Sequence, residues 1–353
     1  MKIRQILIVG LITAALLGIM EIACRIFWSE RPAVSGFHFY IHQVDNDLRL
    51  DFVTEDPLLM WSLKPGYQSG YVSISSQGFR AGEYEKRKPA GIFRILCLGD
   101  SSTFGYQMPL ALTYHQQLED RLNREAGGGG RRYEVINAGV VGYTALQGLV
   151  MYLSRGAEFT PDLVTAYFGV NEPICRFYLN DAAIMKPDRP QWLRILVNKW
   201  LVKSDLVRWV QKIFSNLKGE NGFGARRPTA RVSAEDYRNV ILRLQKACES
   251  HGARLLLISP ALRTGRDSSD GRVMDIIRYR KILEKTAAEA GIALLTVPEM
   301  TEYAVEDPSA LFLAGDSVHP SQAGHLLIMQ RLYDFIISHG LLNEKQAPAA
   351  IRR

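Results

Sequence analysis

The feature that most constrains the fold is an alternation of five short apolar runs with stretches of helical spacing. The apolar runs, which predict strands, are residues 92–98, 133–138, 162–169, 254–259 and 292–297. The stretches that predict helices are residues 109–124, 146–157, 233–250, 272–290 and 321–339. Strands that alternate with helices form a parallel sheet covered on both faces, and its ligands bind outside the carboxyl ends of the strands. The sequence therefore predicts an α/β fold with its site at that edge.

The N-terminus carries a second strong signal, an apolar segment at residues 6–28 that is long enough to cross a bilayer. Glu21 and Arg25 lie near its far end, where they have the spacing of an ion pair along a helix. No small-residue cleavage pattern precedes them, so an uncleaved anchor fits better than a signal peptide or a buried helix. Lys2 and Arg4 would stay in the cytoplasm. We therefore expect a single-pass membrane protein whose main domain is periplasmic or extracellular.

These signals divide the chain into segments. Residues 1–31 form the N-terminal tip and transmembrane anchor, and residues 32–90 form an extension with short strands and turns. Residues 91–340 form the α/β domain, and residues 341–353 form a flexible tail. Inside the domain, residues 173–231 interrupt the alternation after the third predicted strand as a helical insertion or cap.

The insertion contains an apolar stretch, residues 191–217, with basic residues interspersed. Its largest apolar side chains are Trp192, Trp200, Trp209 and Phe214. We favour a helical cap that packs on the domain. The alternative is an amphipathic helix that lies on the membrane surface. Either arrangement would place the stretch beside the site, because it follows the third strand closely.

Charge and cysteine content exclude several classes of function. The chain has 43 Lys and Arg against 36 Asp and Glu, a net charge of +7 that is spread along the chain and suits a surface near anionic lipid or glycan. It has no dense basic stripe with interleaved aromatics, so we expect no nucleic-acid partner. The cysteines, which lack metal-binding spacing, are Cys24, Cys97, Cys175 and Cys248. We expect buried thiols and neither metal nor cofactor, with a Cys175–Cys248 disulfide left open.

Three predicted strands end in residues that could carry chemistry. The first ends in Gly99-Asp100-Ser101-Ser102, which places a serine on a turn between a strand and a helix, as a nucleophile requires. A structural or phosphate-binding turn is the alternative, but no Lys follows in the Walker position. Gly142 follows the second strand, where a bare backbone N–H could approach a reacting carbonyl. Asn171 follows the third, where its amide could donate. Each of these residues alone is an ordinary turn residue.

The loop before the last predicted helix contains Asp316-Ser317-Val318-His319-Pro320. An Asp three residues before a His can accept the Nδ1 proton and leave Nε2 free as a base, as in a Ser-His-Asp triad. A helix-capping Asp with a surface His is the alternative. The other six histidines, His325 among them, lack such a partner, and we interpret them as structural or exposed.

In this order, the four blocks resemble those of the SGNH hydrolases, also called GDSL esterases and lipases. The matched residues are Ser101, Gly142, Asn171 and the pair Asp316 and His319, and the resemblance covers residues 94–339. It implies a three-layer α/β/α sandwich with a mostly parallel, flavodoxin-like, five-stranded sheet, and no cofactor. It also implies that Ser101 attacks, His319 is the base and Asp316 orients His319. The oxyanion would be held by Ser101, Gly142 and Asn171.

Two details qualify the resemblance. The third block of the family usually reads Gly-x-Asn-Asp, and here Glu172 replaces the Asp. Gly139 is a weaker candidate than Gly142 for the second oxyanion donor, because the Asn-x-x-x-x-Gly spacing points to Gly142. The extension also resembles membrane-anchored bacterial members through the turn Gly78-Phe79-Arg80.

The function that follows is hydrolysis of an acyl ester, an acetyl ester included, at the cell envelope. Its partner would be an ester-bearing small molecule, lipid or glycan, and residues 6–28 would bind the membrane. Two alternatives stay open at this point. One is an O-acyltransferase that uses the same nucleophile on envelope glycans. The other is a catalytically silent domain that binds glycans or acts as a scaffold.

Overall fold

The computed structural model describes residues 3–27, 50–80, 82–127, 131–174, 180–185, 188–196, 204–207, 209–210, 213, 230–263, 271–297 and 308–343. The predicted boundary after residue 31, most of the predicted tail and the side chains of Cys175, Trp200 and Phe214 lie outside these residues. The chain forms two compact units. One contains Met1–Ser62 and Ala182–Pro228, and the other contains Leu63–Asp181 and Thr229–Arg353.

The first unit begins with helix α1, Ile3–Phe27, which confirms the predicted apolar helix. Its part from Leu7 to Phe27 has a mean hydropathy of 2.3, and none of that part is buried within the protein. Among the described residues, α1 is the one helix long and apolar enough to cross a membrane. Its exposure excludes the alternative of a core helix. Strands β1, Val53–Asp56, and β2, Met60–Leu63, pair with each other, and both belong to this unit except for Leu63.

The second unit is built on a five-stranded sheet with the order β6-β5-β7-β8-β9. Every pairing in it is parallel. The strands are β5 Ile92–Gly99, β6 Arg132–Gly139, β7 Leu163–Tyr167, β8 Arg254–Ile258 and β9 Ala293–Leu295. This is the doubly wound order in which the first strand lies between the second and the third. The predicted α/β class and five-stranded parallel sheet are confirmed.

The strands form because both of their faces are covered. β5 is buried from its second residue to its last, which is why its sequence is apolar almost throughout. Helices α3 and α9 pack together on one face, over a core that includes Ile95, Cys97 and Tyr167. On the other face, α4 packs against α7, which in turn packs against α8. The helices are α2 Ser101–Phe104, α3 Tyr114–Glu125, α4 Ala145–Ser154, α5 Asp181–Met185, α6 Gln191–Ile195, α7 Ala234–Ser250, α8 Gly271–Ala290 and α9 Gln322–Ser338.

One predicted helix boundary is wrong. The spacing of residues 109–124 predicted a single helix, but Leu110–Leu112 form a 3₁₀ turn and α3 begins only at Tyr114. Thr113 separates the two, because its backbone is extended and its hydroxyl donates to the Leu110 carbonyl at 2.5 Å. Ser233 caps α7 as predicted, since its side chain accepts from the backbone N–H of Asp236.

Two further short strands lie within residues 32–90. β3, Gln68–Ser69, pairs antiparallel with β4, Val72–Ser73. A turn follows in which Gly78 has a φ of +79°, a conformation that favours glycine. This turn delivers Arg80 to the interior, where its side chain is fully buried.

Candidate active site

The turn after β5 presents two consecutive serines. Asp100 caps α2, because its carboxylate accepts from the backbone N–H of Ser102 at 2.8 Å. A Cβ on Gly99 would stand 2.0 Å from the Thr103 hydroxyl, so only glycine lets α2 lie this close to the end of the strand. Burial raises the pKa of Asp100 to about 6.

Ser101, His319 and Asp316 lie in hydrogen-bonding contact. Ser101 Oγ is 2.8 Å from His319 Nε2, and His319 Nδ1 is 2.6 Å from Asp316 Oδ2. A carboxylate only accepts, so Nδ1 carries the proton and Nε2 faces the serine with its lone pair. These are the three residues that the sequence predicted as nucleophile, base and orienter. The chain brings them together from β5 and from the loop before α9.

Asp316 is fixed by its own loop. Its Oδ1 accepts from the backbone N–H groups of Val318 and His319 at 2.7 and 3.0 Å. Burial acts to raise the pKa of Asp316, but His319 and the two backbone donors outweigh it and hold the pKa well below its ordinary value. The carboxylate therefore stays ionised beside the imidazole. Tyr106, which the sequence analysis did not single out, packs against the imidazole with its ring centre 5.2 Å away.

Gly142 lies in a tight turn after β6. Its φ of +77° favours glycine, and the turn is closed by a hydrogen bond from the Tyr143 N–H to the Val140 carbonyl at 3.1 Å. The N–H of Gly139 is already used, because it donates to the Asn137 side chain at 2.8 Å. No hydrogen bond among the described residues occupies the N–H of Ser101 or Gly142. Of the two glycines, Gly142 is thus the one whose N–H has no protein acceptor among the described residues.

Asn171 follows β7, on the opposite side of β5 from Gly142. Its amide nitrogen donates to the Tyr143 carbonyl at 3.0 Å and lies 3.4 Å from Asp100 Oδ2. The second contact is long for a hydrogen bond, so that N–H is the weaker held of the two. The β5/β7 boundary is where the strand order reverses, the place at which doubly wound folds bind ligands.

Glu172, the departure from the family pattern, has a structural explanation. Its side chain is fully buried, and its two oxygens accept from the backbone N–H groups of Ala145 and Gly169 at 2.7 and 2.9 Å. Burial raises its pKa to about 7. The longer side chain thus ties the loop after β7 to the first residue of α4.

Two buried arginines beside the site were missed in the sequence. Arg80 donates to the carbonyls of Phe104, Gly105 and Met108, which follow the serines, and its guanidinium lies over the Phe104 ring at 4.4 Å. Its only signal in the sequence was the Gly78-Phe79-Arg80 turn. Arg231 donates to the Gly142 carbonyl at 2.6 Å. It stands at the end of the insertion, and nothing in the local pattern marks it.

Among the described residues, no three His, Cys, Asp or Glu side chains form a group that could hold a metal ion. Cys97 is buried, and burial raises the pKa of its thiol to about 12. The predicted interpretation of His325 as structural fits its position, which is fully buried against Tyr114.

The chain is similar to proteins of known family. The model of the GDSL-like Lipase/Acylhydrolase family matches residues 97–327, which include all five predicted site residues. An arylesterase from Vibrio mimicus is 34% identical over 84 residues, which make up 24% of this chain and 40% of that protein. The chain thus matches less than half of the length of that relative.

Solved structures with a similar course of the chain include a lipase/acylhydrolase from Enterococcus faecalis, at 19% identity and a TM-score of 0.45, covering 72% of this chain and all of that one. Axe2, an acetylxylan esterase from Geobacillus stearothermophilus, is 17% identical with a TM-score of 0.45 and covers 69% of this chain and 94% of its own. The resemblance and the enzyme class predicted from the sequence are confirmed by the family match. Because that match spans well over half of its residues, the chain belongs to the GDSL-like lipase/acylhydrolase family and is an ester hydrolase.

Proposed function

We propose that the chain is a serine esterase of the cell envelope in which Ser101, His319 and Asp316 form the catalytic triad. The observation that carries this proposal is the pair of contacts of the His319 ring, 2.8 Å to Ser101 Oγ and 2.6 Å to Asp316 Oδ2. In the part of the chain that the structure describes, Ser101 is buried, and the side chains of His319 and Asp316 are 22% and 27% exposed, so the base and its carboxylate face solvent on one side.

The reaction proceeds through an acyl-enzyme. Ser101 Oγ attacks the ester carbonyl carbon while His319 Nε2 takes the hydroxyl proton, and the carbonyl oxygen becomes an oxyanion. The N–H groups of Ser101 and Gly142 and the amide of Asn171 stabilise that charge. When the tetrahedral intermediate collapses, the bond to the alcohol oxygen breaks and His319 returns the proton to it. His319 then takes a proton from a water molecule that attacks the acyl-enzyme. When this second tetrahedral intermediate collapses, His319 returns the proton to Ser101 Oγ, and the acid and the free serine are released.

The neighbouring serine offers a matched control for this proposal. Ser102 is buried beside Ser101, but its hydroxyl lies 3.5 Å from the Val318 carbonyl and interacts with Asp100 and Tyr167, whereas Ser101 Oγ contacts the His319 ring. We expect Ser101→Ala to lower kcat for a short-chain aryl ester by at least about 10³-fold, because the nucleophile is lost. Ser102→Ala should stay within a few-fold of the wild type. A fluorophosphonate probe should label the wild type and Ser102→Ala but not Ser101→Ala.

Full hydrolysis by Ser101→Ala, or labelling of that variant, would overturn the assignment of the nucleophile. No labelling of the wild type would instead favour the silent binding domain. Transfer of the acyl group to a sugar hydroxyl uses the same acyl-enzyme with another acceptor. Analysis of the products with an acceptor sugar present separates that activity from hydrolysis.

We also propose that α1 is a retained membrane anchor, with the ester hydrolase domain periplasmic or extracellular. The support comes from the polar end of the helix. Glu21 accepts from the Ser204 hydroxyl at 2.7 Å and from the backbone N–H groups of Asp205 and Leu206 at 3.1 and 3.0 Å, and it pairs with Arg25 at 2.9 Å. A segment that is cleaved and lost would not supply an acceptor to residues far along the mature chain.

This location predicts that the intact chain sediments with membranes. We expect the mass of the purified protein to include residues 1–27, and a variant that lacks them to appear in the soluble fraction, because the apolar span is gone. A protease added to intact cells or spheroplasts should cleave the domain only from the outer side. A soluble wild-type protein whose mass lacks α1 would show instead that the segment is a cleaved signal.

A further inference from the structure

A buried ion pair binds the turn that contains Gly142, the candidate oxyanion donor. Arg231 and Asp181 are both buried, and the guanidinium binds the carboxylate with two hydrogen bonds, at 3.1 and 2.9 Å. The same guanidinium donates to the Gly142 carbonyl at 2.6 Å and to the Gln147 side chain at 2.8 Å. Asp181 in turn accepts from the Thr144 hydroxyl at 2.8 Å.

These contacts hold each part of the turn. The Gly142 carbonyl is bound by Arg231, and the Tyr143 carbonyl is bound by Asn171 at 3.0 Å. Glu172 accepts from the N–H of the residue that begins α4. The Gly142 N–H belongs to the peptide unit just before the two bound carbonyls, so fixing the Gly142 and Tyr143 carbonyls limits how far that unit can turn. An oxyanion donor is effective only if it is oriented before the charge develops.

The position of the pair along the chain gives it a second role. The chain leaves the α/β unit after Asp181 and re-enters it at Thr229. The backbone N–H of Asp181 also donates to the Arg231 carbonyl, at 2.7 Å. The pair therefore joins the first and last residues that border the insertion, and it contacts the turn that contains Gly142.

We propose that Arg231 and Asp181 are positioning residues for catalysis. They orient the Gly142 N–H toward the oxyanion, and they bind the two ends of the insertion to the turn that contains Gly142. This proposal rests on the serine esterase mechanism proposed above. A bidentate guanidinium is needed because one group must hold a carboxylate and a backbone carbonyl at the same time. A lysine, with a single ammonium, retains the charge but not this geometry.

The test compares Arg231 with another buried arginine of the same domain. Arg94 is equally buried, pairs with Glu134 at 2.6 Å and donates to the Phe159 carbonyl at 2.5 Å, but it lies near the start of β5, away from Ser101. We expect Arg231→Lys and Asp181→Asn to lower kcat for a short-chain aryl ester by about 10–100-fold with little change in KM, because the interaction lost is made only with the transition state. Arg231→Met should lose more than Arg231→Lys.

The same variants should bind an aryl boronic acid, which forms a tetrahedral adduct with the serine, more weakly by a similar factor. Arg94→Lys and Arg94→Met should keep kcat and boronate affinity if they fold. An unchanged kcat in folded Asp181→Asn and Arg231→Lys, an effect on KM alone, or an equal loss in the Arg94 variants would overturn the positioning role. If Ser101→Ala retained hydrolysis, the mechanism itself would fail, which is a separate result.

Discussion

The two carboxylate oxygens of Asp316 have different partners and different effects on the site. One of its oxygens accepts from two backbone N–H groups of its own loop and so fixes the carboxylate, while the other accepts from His319 Nδ1. The first set of contacts sets the position, and the second sets the tautomer of the imidazole. Only the second is lost when the carboxylate becomes an amide.

This separation makes Asp316→Asn an informative change. The amide oxygen can still accept from the loop, but its NH₂ faces Nδ1 and favours the tautomer that carries the proton on Nε2. Such an imidazole cannot take the proton of Ser101, so we expect kcat for an aryl ester to fall by about 10³–10⁴-fold with KM nearly unchanged. Asp275→Asn, at an exposed position of α8, is the control. Near-normal kcat in Asp316→Asn would contradict the role of Asp316.

Among the elements, the turn after β4 contacts α2, the helix that begins at Ser101, through the side chain of Arg80. Arg80 follows that turn, and its guanidinium donates hydrogen bonds to the C-terminal carbonyl of α2 and to carbonyls of the loop that carries Tyr106. The Arg80 guanidinium is surrounded by carbonyls and the Phe104 ring, and burial lowers the pKa of Arg80 to about 10. The loop that packs on His319 therefore depends on an arginine that precedes β5.

We expect Arg80→Met to destabilise the fold by about 2–4 kcal/mol, because several buried carbonyls lose their donors. The kcat for an aryl ester should fall as well, since Tyr106 and α2 lose their support. Urea unfolding and steady-state kinetics measure the two effects. Arg87→Met, at an exposed position of the same segment, should change neither. A variant as stable and as active as the wild type would show that the carbonyls find other partners.

The sheet was predictable because parallel strands buried on both faces must be apolar, and only five runs of the chain qualified. The start of α3 was not, because Thr113 fits the helical spacing and its extended backbone depends on a local hydrogen bond. The pair of Asp316 and His319 was predictable from a spacing of three residues within one loop. Arg80 and Arg231 were not, because they bind backbone carbonyls far along the chain, and any sequence supplies a carbonyl.

For the whole molecule, buried titratable groups of two kinds make stability depend on pH in opposite senses. Burial lowers the pKa of His325 from 6.5 to about 3 and that of His115 well below 6.5, with Arg80 adding to both effects. The unfolded chain therefore binds these protons first as the pH falls, and stability present above pH 6.5 is lost below it. Burial raises the pKa of Asp100 to about 6 and that of Glu172 to about 7. The folded protein binds these two protons more tightly than the unfolded chain, so its free energy of unfolding falls as the pH rises toward those values.

His325→Phe separates these contributions, because the new ring preserves the stacking on Tyr114 but takes up no proton. Between about pH 4.5 and 6.5, we expect the free energy of unfolding of this variant to rise less steeply with pH, by up to about 1.4 kcal/mol per pH unit. Urea unfolding at several pH values measures the slope. His339→Phe, at an exposed position, should leave it unchanged. Equal slopes in wild type and His325→Phe would mean that His325 titrates alike in the folded and unfolded states.

The closeness of Asp181 to Arg231 has a consequence for how this architecture can change. Two residues whose backbones share a hydrogen bond are near enough to be joined by a short turn, so the residues between them form a cassette. Its length can vary between homologues, or be altered by a protein engineer, without shifting the register of any strand, since proteins accept inserted domains where the two ends lie close together. Replacing the residues between Asp181 and Arg231 while keeping these two residues should therefore leave the five-stranded sheet and its strand order unchanged.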